Sequence, residues 1–81
     1  MKNWDEVKQL ERFMRYIQVY TPKLKRTKWR PYDGKRIEKM LSKVDDLIEE
    51  MNVFQQETGS IEAQYMKELV IYMRENFRWE K

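Results

Sequence analysis

Between residues 37 and 54 the apolar side chains fall at steps of three and four: Ile37, Met40, Leu41, Val44, Leu47, Ile48, Met51 and Phe54. Such spacing keeps one stripe on one face of an α-helix, which repeats every 3.6 residues. A strand, whose faces alternate every second residue, would scatter it over both sides. Neither glycine nor proline interrupts the run. It predicts a helix over residues 35–57, roughly 33 Å long at a rise of 1.5 Å per residue. A single apolar stripe of that length must be covered, so the rest of the chain is constrained to supply elements that pack along it.

Both flanks offer helices. Val7, Leu10, Met14 and Ile17 form a stripe widened by Phe13 and Tyr20, with Trp4 one turn earlier. Asn3 suits the N-cap, with Glu6 three residues on completing a capping-box pattern. Pro22 disfavours a helical residue before it, so this helix is expected to span 3–21. Beyond the central helix, Thr58-Gly59-Ser60 breaks the pattern. Gly59 suits the left-handed position after a helix, and Ser60 suits the next N-cap. Met66, Leu69, Val70, Met73 and Phe77 then mark a third helix over 60–78, while Tyr65, Ile71 and Tyr72 spread apolar surface further around it. The expected fold is therefore all-α. It is a single domain over 1–81, a small three-helix bundle with a long central helix and a basic connector at 22–34. The short second joint makes helices two and three antiparallel.

Charge is concentrated between the first two helices. Residues 22–36 carry seven cations, Lys23, Lys25, Arg26, Lys28, Arg30, Lys35 and Arg36, against Asp33 alone. The net charge of the whole chain is only +3. Trp29 and Tyr32 are interleaved, and Asp33-Gly34 reads as a turn in which Asp33 can cap the next helix. Cations that release counterions from phosphates, beside aromatic rings that stack on unpaired bases, are the chemistry of a nucleic-acid contact. The competing readings are structural. The stretch can be a solvated loop anchored by Leu24, Trp29 and Tyr32, or it can be neutralised by the acidic face Asp45, Asp46, Glu49 and Glu50 of the central helix.

Composition narrows the chemistry. With no cysteine and no histidine, the chain has no disulfide, no thiol nucleophile and no imidazole for acid–base work or metal ligation. No phosphate-binding glycine loop or nucleophile elbow is present. The four helical carboxylates lack an EF-hand loop and read as a solvated face rather than a calcium or magnesium site. The expectation is a protein that is not an enzyme and uses no cofactor and no metal. No apolar run approaches membrane-spanning length and the N-terminus lacks the apolar core of a secretory signal, so a cytoplasmic location is expected. The Thr58-Gly59-Ser60 joint resembles the turn of a helix-turn-helix. However, the helix before it is too long, and the one after it begins Ile61-Glu62-Ala63-Gln64, leaving only Gln64 and Lys67 to read bases.

In its short, cysteine-free, charged and helical character the chain is similar in kind to small proteins encoded by phages and mobile elements. No motif carries that likeness, and it assigns no residues. Two functions follow. The first is a small regulatory protein contacting nucleic acid through residues 22–36. The second is a regulator or inhibitor acting on a host protein through an aromatic and Met-rich helical surface, since interfaces favour Tyr, Trp, Met and Arg. Self-association is a further expectation. A bundle hides one stripe per helix, which leaves Tyr65, Ile71, Tyr72 and Trp79 for a homodimer, unless Trp4, Trp29 and Tyr32 fold over the third helix as a lid.

Overall fold

The computed structural model describes residues 4–79. They form three α-helices, α1 (Trp4–Lys25), α2 (Gly34–Thr58) and α3 (Ile61–Glu75), with a 3-10 turn at Pro31–Asp33 leading into α2. Among the described residues there is no strand. The expected all-α fold with a long central helix is what the chain adopts. The molecule is a rod of 48 × 18 × 16 Å.

The core follows the predicted stripes in part: Met14 and Leu69, expected inside, are 45 and 48 % exposed, while Leu24 and Ala63 are buried. Leu10, Phe13, Ile17 and Leu24 of α1 meet Met40, Val44, Leu47 and Met51 of α2 and Ala63, Val70 and Met73 of α3. The Phe13 and Phe54 rings meet edge to face with centroids 5.5 Å apart. Direction is fixed by pairs along the helices. Lys67 Nζ donates to Asn52 and Gln55, while Arg74 reaches Asp45, so α3 runs antiparallel to α2. The joint between them has the predicted chemistry. Gly59 takes φ +68° and its N–H closes on the Gln55 carbonyl at 2.7 Å. Ser60 Oγ accepts the Ala63 N–H at 3.2 Å.

Three expectations are corrected. First, α1 does not stop at residue 21 but continues through Pro22 to Lys25. Pro22 forfeits one backbone bond, yet Leu24 is only 4 % exposed, and its burial holds the last turn helical. The connector therefore shrinks to residues 26–33. Second, the Asp33 side chain makes no capping bond to α2. Its Oδ2 instead accepts the Arg30 N–H at 3.1 Å, closing the 3-10 turn, and Oδ1 lies 3.7 Å from Arg36 Nη1. Third, α3 ends at Glu75 rather than 78, where the Asn76 amide side chain donates to the Tyr72 carbonyl. The Asn3 cap lies outside the described residues.

Candidate nucleic-acid interface

All seven cations of the basic stretch are exposed, but they do not form one loop. Lys23 and Lys25 stand on the last turn of α1, where positive charge complements the helix dipole. Lys35 and Arg36 stand on the first turn of α2. Arg26, Lys28 and Arg30 lie on the extended segment between them. The segment is pinned from within. Arg26 Nε donates to the Lys28 carbonyl at 2.9 Å, and its guanidinium sits 4.6 Å from the centre of the Trp29 ring.

The two aromatic residues of the stretch differ in role. Trp29 is half-buried. Its Nε1–H donates to the Arg26 carbonyl at 3.1 Å, and its ring packs edge-on against Phe77 at 6.3 Å. It anchors the connector to the segment that follows α3, the anchoring role that the sequence also allows it. Tyr32 is 71 % exposed, and the Arg30 guanidinium lies over its ring, 5.7 Å from the centre, and donates to the hydroxyl.

Folding gathers a second set of cations that the linear stretch does not contain. Lys23 on α1 and Arg36, Lys39 and Lys43 on α2 line one cleft of about 310 Å³ over Tyr20 and Met40. Lys23 Nζ sits 5.8 Å from the Tyr20 ring centre. Tyr20 and Lys43 also belong to the adjoining cleft between α1 and α2, about 220 Å³, lined further by Arg12, Tyr16, Asp46, Leu47 and Glu50. Tyr16 and Tyr20 stack there with centroids 6.4 Å apart. The result is a continuous groove, cationic at one end, with aromatic rings along its α1 wall. Lys39 and Lys43 were missed because a count along the chain places them among acids. Their steps of three and four from Arg36 are the signal that puts all three on one helical face.

The acidic face of α2 pairs with cations outside the basic stretch. Asp45 pairs with Arg74 at 3.1 Å and Glu50 with Arg12 at 3.7 Å. The Tyr16 hydroxyl, and then Glu50, hold the Arg12 guanidinium above its usual pKa. Among the described residues, no ion pair joins these four carboxylates to the basic stretch; its own pair is Arg36 with Asp33. Nor do three carboxylates among the described residues come together as a metal site.

Charge is thus polarised along the rod. Cut across the rod at the level where Lys67 meets Asn52 and Arg12 meets Glu50, the end built from residues 4–14, 52–58 and 61–68 carries six acids and three cations, net −3. The end built from residues 15–51 and 69–79 carries twelve cations and seven acids, net +5. Over tens of ångströms salt screens one end from the other, so each meets partners on its own terms.

Lys67, a candidate base reader, is tied to Asn52 and Gln55 on α2, which leaves the α2–α3 joint a plain helical hairpin. Methionines are mostly internal: Met40, Met51 and Met73 are buried and Met66 packs on the core, with Met14 45 % exposed. No Met-rich surface forms among the described residues. Of the predicted self-association set, Tyr65 and Tyr72 are exposed. Ile71 is half-buried, and Trp79 is half-buried with its ring against Gly34, so neither joins an open face. The lid is not formed either. Trp4 is 66 % exposed and Tyr32 71 %, and only Trp29 packs toward α3, through Phe77. No helix among the described residues is long and apolar enough to cross a membrane. No protein-family model, curated protein or solved structure matches the chain.

Proposed function

We propose that this is a non-enzymatic, nucleic-acid-binding regulatory protein that works in the cytoplasm and grips phosphates with the cationic end of its rod. The observation that carries the reading is the convergence of Lys23, Arg36, Lys39 and Lys43 on one cleft beside Tyr20. Four cations held by two helices concentrate positive charge that the phosphates of a sugar–phosphate chain can neutralise. Lys25, Arg26, Lys28, Arg30 and Lys35 widen the positive field around that cleft and steer a polyanion to it. Tyr32, 71 % exposed, would stack on an unpaired base beside the Arg30 guanidinium, which favours single strands. Contact is to backbone and base faces, so little sequence preference is expected.

The second reading, a regulator or inhibitor of a host protein, draws support from the exposed aromatic face of α3 but not from methionine, which is mostly in the core. Fluorescently labelled single-stranded DNA and RNA, titrated at low salt, test the first reading. Saturable binding at micromolar protein that fades as salt rises is the expected result. No change in anisotropy for either strand would remove the nucleic-acid reading and leave the protein-binding one.

A further inference from the structure

Ile61, Tyr65, Leu69 and Tyr72 of α3 are 63, 68, 48 and 66 % exposed. Steps of four, four and three place them on one face of the helix, opposite the buried Ala63 and Val70. Gln64, Glu68 and Glu75 form an exposed polar border on one side, with Glu62 and Asn76, also exposed, on the other side and beyond Tyr72. Met14 adds to the apolar surface from α1. It lies on the flank of the buried α1 stripe turned away from Arg12 and Tyr16, which line the groove with α2. Contiguous apolar surface of this kind on a small protein marks an interaction site.

We infer that this face pairs with a second copy of the same chain, α3 against α3, antiparallel about a twofold axis. The argument is charge complementarity. Side-by-side parallel pairing would set the +5 end on the +5 end and the −3 end on the −3 end. Antiparallel pairing lays each cationic end along the acidic end of the other copy. A twofold also makes the patch self-complementary, bringing Ile61 of each copy near Tyr72 of the other. The α1–α2 groove lies on the other side of the rod and stays open, so the pair carries two cationic grooves at opposite ends. The pairing does not depend on what those grooves bind.

The size of the face sets its strength. From Ile61 to Tyr72 it runs roughly 16 Å along the helix. That covers well under the ~800 Å² per partner of a standard stable interface. The pairing is expected to be weak, in the micromolar-to-millimolar range, and charge pairing between the ends makes it salt-dependent.

Sedimentation equilibrium from about 10 µM to about 1 mM reads this range directly. The apparent mass is expected to rise from 10.2 kDa toward twice that value, and to fall back as salt is added. Leu69→Glu should stay monomeric throughout with its helix content unchanged. Should that variant lose helix, Tyr65→Lys, at a site 68 % exposed, serves in its place. The chain has no cysteine, so Thr27→Cys gives a single spin label at the cationic end. An antiparallel pair keeps the two labels more than about 30 Å apart, whereas a parallel pair brings them within about 20 Å. A 10.2 kDa species at every concentration would overturn the pairing and leave the face to a different protein. Undiminished association of folded Leu69→Glu would overturn the choice of face. Close labels, or association that strengthens with salt, would overturn the antiparallel arrangement.

Discussion

Trp29 and Tyr32, three positions apart on the connector, separate structure from recognition. Trp29→Ala removes the Phe77 contact and the hydrogen bond that hold the connector down. It should lower stability by about 2 kcal/mol, less than the 3–5 kcal/mol of a fully buried tryptophan. Chemical denaturation measures this. Tyr32→Ala, at an open surface site, should leave stability within about 0.5 kcal/mol. It should weaken single-strand binding by about 1–3 kcal/mol, the value of one stacked base. Equal effects of the two variants on stability would contradict this division. At the α2–α3 joint, Gly59→Ala meets no neighbouring atom, so its effect is purely one of backbone conformation. A side chain at φ +68° is expected to destabilise by about 1 kcal/mol. Ser60→Ala should do the same by removing the cap, again about 1 kcal/mol.

At the scale of elements, what could be read in the sequence was what local periodicity controls. The Ile37–Phe54 stripe made α2 legible to within a residue at either end, and Gly59 and Ser60 marked the joint because their conformational roles are local. Pro22 misled because the burial of Leu24, which overrides it, depends on partners far along the chain. The proline nevertheless remains a liability inside the last turn of α1. Pro22→Ala should restore the missing backbone bond and stabilise the protein by about 1–2 kcal/mol, net of the freedom it returns to the unfolded chain. A lower thermal midpoint for this variant would mean that the turn needs the proline. The candidate site was half legible for a related reason. Residues 22–36 are visibly basic as a run, but the partnership of Lys23 with Lys39 and Lys43 exists only once α1 and α2 lie antiparallel. Trp29 could not be told from a stacking residue, since only the fold supplies Phe77.

For the whole molecule, a chain of net charge +3 hides a rod with one positive and one negative end. Under the proposed function, long-range attraction to a polyanion would orient the rod before contact, and the cationic cleft would then fix it. Salt dependence of binding is therefore expected to come from particular residues at one end only. The measurement that tests this most directly is the slope of log binding constant against log salt for a labelled single strand, compared among three proteins. Replacing Lys39 and Lys43 together by glutamine removes two phosphate contacts. It should flatten the slope by about 1.4, since each contact on a single strand contributes about 0.7. Lys8→Gln, at the acidic end, should leave the slope unchanged. An unaltered slope in the Lys39→Gln/Lys43→Gln protein, or an equal loss in Lys8→Gln, would contradict the assignment of phosphate binding to the cleft between α1 and α2.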